Sequence, residues 1–444
     1  MRKRIIPLLF LLMVLLLSGC GLRTVDEMYS PPKRSAEYEE LQKAIDASMG
    51  SLEYCAPLSG ENQQTVQAAD LDGDGENEYL LFAKGSSEKP LQILIFSREE
   101  ESYVLRDRIE SYGSAFELVE YVDVDGVAGV ELVVGRQVSD QVLRVLSVYH
   151  FTNSDTRQLL TTNYSKFVTS DLNADNRSEL MVITPGATET DKAVAVLYSF
   201  EGEAVERSKE VSLSASADQI KRIMAGNLQS GEAAVYVASA MEESAIITDV
   251  FAVKNGSFTN VSFSNESGTS VQTLRNYYVY ADDIDDDGVL ELPDLINMVP
   301  YVLTGNTSMQ YLIRWYSMDL DGAEMNKMYT FHDLAAGWYL ELDDNWATRV
   351  TVNQQGGSYA FYVWHESFEA WDSSSADKIM TIDVLTGSDR EEQAKEDNRF
   401  TLHRAEETIY TVKLEAAAAE YGLTQEHLVS CFHLIFKDWK TGEM

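Results

Sequence analysis

From residue 52 onward, most of the chain alternates apolar and polar positions in short runs. Stretches such as "QTVQAA", "YLLFA", "LQILIF" and "YVLRDRI" place apolar side chains at every second position or in brief apolar blocks, and Gly, Asp and Asn clusters separate them. Runs of that length and punctuation predict β-strands. The order returns downstream as "FELVEYV", "LVVG", "LRVLSVYHF" and "RQLLTT". One segment before them has a different period. Tyr38, Leu41, Ile45 and Met49 fall on one helical face, Ser35 precedes the run and Gly50 comes after it. Residues 36–49 are therefore predicted to form a short amphipathic helix packed on the strands next in the chain.

The strand pattern is a repeat. "DLDGDGENEYLLF" starts at Asp70, "DVDGVAGVELVVG" at Asp123, "DLNADNRSELMVI" at Asp171, "NLQSGEAAVYVAS" at Asn227 and "DIDDDGVLELPDL" at Asp283. The starts are 53, 48, 56 and 56 residues apart. Four copies carry Glu eight positions on (Glu78, Glu131, Glu179 and Glu291), and the fourth has Val235 there. About four strands per ~50-residue unit, repeated, is the signature of a β-propeller. The units resemble FG-GAP/VCBS repeats, the integrin-α-like blades with a D-x-D-x-D-G loop between their first two strands. The likeness spans roughly residues 52–332, and only the first and fifth loops are complete. It implies a mainly β fold, a β-propeller of about five four-stranded blades; the residues that follow read as a small α+β domain. "MDLDGAEMNKMYTFHD" at 318–333 comes too soon for a blade of its own and reads as the last hairpin of the fifth.

The chain changes character near Gly337. "GWYLELDDNWATRVTV", "SYAFYVWHE", "KIMTIDVLTG" and "FTLHRAEETIYTVKL" read as strands. "EAAAAEYG" reads as a helix stopped by Gly422, and Thr424 is placed to cap a further one. The opening "GWYLELDDNW" is faintly similar to PsbP/Mog1-like modules. The predicted organisation is residues 1–20 leader, 21–51 tether and short helix, 52–334 propeller and 335–444 α+β domain.

Composition adds the setting. The formal charge is −37, with 72 acidic against 35 basic residues. That balance argues against nucleic acid and against direct adhesion to anionic lipid, and it suits a solvated protein that uses divalent cations. The opening "MRKRIIPLLFLLMVLLLSGCGL" has a basic start and an apolar run too short to span a bilayer comfortably, as in a signal peptide. "LSGC" then resembles a bacterial lipobox, which implies lipidation of Cys20, a membrane anchor through the lipid bilayer and an extracytoplasmic, cell-surface location. Behind such a leader, the repeats and the C-terminal module resemble surface lipoproteins of Clostridia-type bacteria. Cys55 and Cys431 lie in different predicted domains, which argues against a disulfide between them.

The acidic loops carry the clearest chemistry. Ca²⁺ takes six to eight oxygens, and side chains at loop positions 1, 3, 5 and 9 converge on one point while glycine at position 6 permits the turn. Loop one offers Asp70, Asp72, Asp74 and Glu78. Loop five offers Asp283, Asp285, Asp287 and Glu291. Loop three offers Asp171, Asn173, Asp175 and Glu179, with Asn176 in the glycine slot. Loop two keeps Asp123, Asp125 and Glu131 but has Val127 at position 5, and loop four has no carboxylate ligand. Three or four carboxylates within nine residues repel by several kcal/mol, on the order expected at an effective dielectric near 20, unless a cation sits among them. The competing reading is that the acids cap turns. An EF-hand reading fails for loop one, where Leu81 occupies position 12, and competes for loop five, where Asp294 does.

No H-E-x-x-H, G-x-S-x-G or P-loop pattern is present. His427 and Cys431 stand four apart on a predicted helix, a spacing that fits a thiol–imidazole pair or a rim and core pair. "HESFEAWDS" at 365–373 reads as a solvated loop. The expected function is a surface-anchored, calcium-stabilised propeller that binds or scaffolds an extracellular protein or glycan. The alternatives are a cell-envelope polysaccharide or cell-wall hydrolase and an accessory subunit of an envelope transport system.

Overall fold

The repeated alternation becomes a series of antiparallel meanders. The computed structural model describes residues 36–138, 143–152, 155–188, 190–242, 245–276, 279–298, 310–365 and 376–436. The expected leader, Cys20 and the expected tether up to residue 35 lie outside them, as does nearly all of the 365–373 segment. Among the described residues no helix is long and apolar enough to cross a membrane.

The chain is mainly β. In the first sheet Val66–Ala69, Glu78–Lys84, Leu91–Glu99 and Ser102–Ser111 pair in order, and Glu53–Tyr54 fills the rest of the first-strand position against Lys84 and Ala83. The second sheet runs Ala115–Val122, Glu131–Gln137, Arg144–Thr152, Asp155–Tyr164. The third runs Lys166–Ser170, Glu179–Thr184, Val194–Glu201 and a broken last strand, Ala204–Arg207 with Val211–Ser212. The fourth runs Ile220–Asn227, Ala233–Glu242, Ala245–Lys254, Ser257–Asn260. Four strands joined by short hairpins are thus repeated four times.

Apolar faces pack sheet on sheet in chain order. Phe82, Ile93 and Ile95 of the first sheet meet Phe116, Leu132 and Val134 of the second. Val133 and Val148 meet Leu180 and Val196 of the third, Met181 and Ile183 meet Val235 and Val237 of the fourth, and Tyr236 and Val250 meet Leu292 and Tyr316 of the fifth. The other face of the first sheet is covered by the helix Ala36–Met49, whose Leu41 and Ile45 press on Leu81, Leu94 and Phe96. Tyr38, expected on that face, is 54% exposed in the helix's first turn.

The fifth sheet departs from the pattern. Its first strand shrinks to a single bridge between Asp282 and Glu291. Leu292–Asn297, Tyr311–Met318 and Glu324–Asp333 come next as a meander, so residues 318–333 do span the turn of a hairpin. Trp338–Leu342 then joins the same sheet, and Phe432–Leu434 pairs with it from the far end of the chain. The sheet therefore crosses the 334/335 boundary expected from sequence. The sixth sheet is ordered Val350–Gln355, Ser358–Trp364, Ala376–Thr386, Thr408–Leu414, Phe400–Arg404. One core, centred on Trp338, Phe361, Ile382 and Phe432, unites the fifth and sixth sheets. Within "EAAAAEY", Ala416–Tyr421 forms a 3₁₀ helix, closed by Gly422 at φ +74°. Thr424 caps Gln425–Cys431 as its sequence predicts, accepting from the His427 N–H.

Candidate functional site

Each acidic loop links the first strand of its unit to the second. Its second residue is an apolar peg (Leu71, Val124, Leu172, Leu228 or Ile284), and all five are buried. The peg forces the backbone to turn inward, and the buried Glu at position 9 then closes the loop. Leu71 N–H donates to Glu78 at 2.9 Å, Val124 to Glu131 at 2.9 Å, Leu172 to Glu179 at 2.8 Å and Ile284 to Glu291 at 3.2 Å. The position 1 Asp accepts from later loop amides: Asp70 from Gly73 and Gly75, and Asp283 from Asp287 and Gly288. Neighbouring loops pack side by side. A Cβ on Gly129 would lie 2.3 Å from the Leu71 carbonyl oxygen, and the residue has φ +107°, so only glycine fits there.

Turn capping uses part of the acid set and leaves converging oxygens. Ligand atoms of Asp70, Asp72 and Glu78 lie within 4.8 Å of one another, as do those of Asp283, Asp285 and Glu291. Asp74 gives one oxygen, Oδ1, to the Glu76 amide at 2.8 Å. Burial pushes the Asp72 and Glu78 carboxyls up, and neighbouring carboxylates add to the shift. In loop five the Glu291 Oε1 is buried with no hydrogen-bond partner, and burial raises that carboxyl to about 7. The Lys327 ammonium reaches across to Asp285 at 2.8 Å and also to Asp287.

Loop three is differently wired. Arg177 pairs with Asp175 and holds its carboxyl below the usual range. Asn173 donates to Glu179 at 2.6 Å and to Asp175 at 3.1 Å, and Asp171 caps Asp175 and Asn176. In the second loop a residue not singled out from sequence joins the acids: His150 faces Asp125 and Glu131.

Each closing Glu has a cross-strand neighbour on the third strand; Ser97 donates to Glu78 at 3.2 Å and His150 meets Glu131 at 2.8 Å. From the registers Tyr79 with Phe96, Leu132 with Tyr149, Leu180 with Tyr198, Val235 with Phe251 and Leu292 with Tyr316, the residues opposite position 9 are Ser97, His150, Ser199, Phe251 and Ser317. A polar residue stands opposite every Glu, and Phe251 stands opposite Val235. Comparing the units at this strand position would have flagged His150. In loop four the peg amide of Leu228 is already bonded to the Glu232 carbonyl. Val235→Glu would therefore bury a carboxylate against Phe251 with no donor, and it is expected to lose ~2 kcal/mol of stability. Urea unfolding of the variant beside the wild type measures the difference.

Two further places bear on chemistry. His427 Nε2 lies 3.2 Å from Asp343 and 3.7 Å from the Cys431 sulfur. Burial pushes that thiol up to about 11, so it is not a thiolate at neutral pH and is not primed as a nucleophile. Between the fifth and sixth sheets lies a cleft of about 350 Å³, lined by Tyr311, Ile313, Phe331, Gln310, Asp333 and Gln354. Asp333 accepts from Tyr359, Gln354 and the amides of Ala335 and Ala336, while Gln310 Oε1 is buried without a partner.

No protein-family model matches the chain, and no curated protein matches it. Among solved structures it is similar to a rhamnogalacturonan lyase PL11 of Bacillus licheniformis (TM-score 0.28, 14% identity, 73% of this chain and 71% of that one). It is similar also to the exotype rhamnogalacturonan lyase YesX (0.27, 11%, 74% and 68%) and to TolB from Acinetobacter baumannii (0.24, 9%, 76% and 68%). Likenesses at that level carry no functional argument.

Proposed function

We propose that the chain is an extracytoplasmic binding protein, anchored through a lipid on Cys20, whose row of propeller-type blades is pinned by Ca²⁺ and presents a surface to an extracellular protein or glycan. The observation that carries the calcium reading is the buried Glu291, one oxygen of which has no hydrogen-bond partner, in a group with Asp283 and Asp285 whose ligand atoms lie within 4.8 Å of one another. A buried carboxylate oxygen without a donor is costly unless a cation takes it. Asp70, Asp72 and Glu78, with Asp74, would hold a second ion. Asp171, Asn173, Asp175 and Glu179 form the weakest of the three sets, since Asn173 already donates to Glu179 and Arg177 pairs with Asp175; in loop five Lys327 must leave Asp285 and Asp287 for the ion, but Glu291 keeps an unpartnered oxygen. Bound calcium would supply positive charge that ties the first hairpin of a blade together. Four ordered meanders packed in sequence, each with its loop in the same place, support the blade reading. The cleft beside Tyr311, with amide groups over an apolar floor, suits a polar ring such as a sugar.

Calorimetric titration of the chelated chain with Ca²⁺ is expected to show two ions, with loss of one in Asp70→Ala and of the other in Glu291→Gln. At a hundredfold excess over the dissociation constant each ion adds about 2.7 kcal/mol. The pH dependence gives a separate readout. A carboxyl at about 7 in the fold, against an ordinary 4.5, binds its proton before the unfolded chain does. The ion-free protein therefore gains stability as the pH falls from 7 towards 4.5, and saturating Ca²⁺ abolishes that gain by displacing the proton. No bound ion and an unchanged melt would reduce the acids to turn caps. Binding to an array of neutral and acidic glycans, weakened by Tyr311→Ala, tests the surface reading.

A further inference from the structure

The second loop departs from the others in three coordinated ways. Its position 5 carboxylate is replaced by Val127, leaving too few oxygens for a calcium cage. The third-strand position that holds Ser97, Ser199 and Ser317 in other units holds His150. The His150 Nδ1 points at the two remaining acids, 2.8 Å from Glu131 Oε1 and 3.2 Å from Asp125 Oδ2.

The cluster is buried. Asp125, Glu131 and His150 are 5%, 1% and 8% exposed. Each carboxylate spends one oxygen on the loop backbone: Asp125 Oδ1 accepts from Val127 N–H at 2.8 Å, and Glu131 Oε2 from Val124 N–H at 2.9 Å. The other oxygen of each turns to the same point, where the imidazole nitrogen joins them. Among the described residues no Lys or Arg pairs with either acid. Two buried carboxylates beside an imidazole leave net negative charge that a cation would offset.

We propose that Asp125, Glu131 and His150 form a site for a divalent transition-metal ion of the zinc class, separate from the oxygen-only loops. One nitrogen and two oxygen donors with a fourth position left for water is a donor set zinc accepts and calcium does not favour. Donors on a tetrahedral zinc stand about 3.3 Å apart, so the two imidazole–carboxylate spacings need only a slight opening and loss of the Nδ1 proton, and all three ligand atoms already lie within 4.8 Å of one another. The site stands whether or not the calcium loops fill, because it shares no ligand with them.

The test is calorimetry of the chelated full chain with Zn²⁺ in the presence of millimolar Ca²⁺. The expected result is one tight zinc, weakened at least a hundredfold by His150→Ser, which installs the residue other units carry, with calcium stoichiometry unchanged. Equal zinc binding by the wild type and His150→Ser would overturn the proposal, as would displacement of the zinc by Ca²⁺. Should the variant fail to fold, Co²⁺-loaded wild type decides. Intense visible absorption of tetrahedral cobalt supports the site, and the pale spectrum of an octahedral oxygen site refutes it.

Discussion

Asp249→Ala is expected to cost at least ~4 kcal/mol and to loosen three chain segments at once. Asp249 is fully buried in the Ala245–Lys254 strand. It accepts from Ser214 N–H at 2.8 Å, Ser214 hydroxyl at 2.7 Å, Ser270 hydroxyl at 2.6 Å and Asn260 amide at 2.8 Å. Those donors come from the link before the fourth sheet, from its last strand and from the long connection to the fifth. Hydrogen bonds to a charged group contribute ~1.5–3 kcal/mol each, and deleting the acceptor leaves four buried donors unsatisfied. Asp249→Asn keeps the shape but turns an NH₂ towards donors, so its loss should be smaller yet clear. Urea unfolding measures both. A change below ~0.5 kcal/mol for the alanine variant, the range of ordinary surface substitutions, would show that the hub does not hold these segments.

Trp338→Ala is expected to cost ~3–5 kcal/mol, the range for removing a fully buried large aromatic. Trp338 is wholly buried, with ring centroids 5.5 Å from Phe432, 5.1 Å from Tyr359 and 5.6 Å from Phe331. Phe331 and Phe432 belong to the fifth sheet and Tyr359 to the sixth, so the indole is a shared wedge. The variant should lose both sheets in one calorimetric transition at a markedly lower temperature. Separate melting of the 350–414 region at an unchanged temperature would mean that the two sheets are independent.

The meanders and their loops were legible because their information is local. Alternation sets which face is buried, and a D-x-D-x-D-G run with a Glu behind it sets the turn and its closure. The peg at position 2 and the glycine at Gly129 are part of the same short string. What sequence did not disclose depends on partners far along the chain. His150 lies nineteen residues from Glu131 and meets it only through strand register. Arg177 looks like an ordinary loop residue until the Phe200 carbonyl, on the far side of the next hairpin, accepts from the guanidinium that also pairs with Asp175. The 334/335 boundary looked sound because the composition changes there, whereas the pairing of Trp338–Leu342 with Phe432–Leu434 leaves no local trace.

That pairing also sets an order of events during synthesis. The first four sheets are each made from contiguous chain, so each can close soon after it is made. The edge of Trp338–Leu342 must wait for Phe432–Leu434, some ninety residues later, or roughly 5–20 seconds of translation. For that interval the nascent chain carries an open strand edge beside an unfilled aromatic core. A chain stalled or cut in that window keeps its repeats but offers this edge to any passing strand.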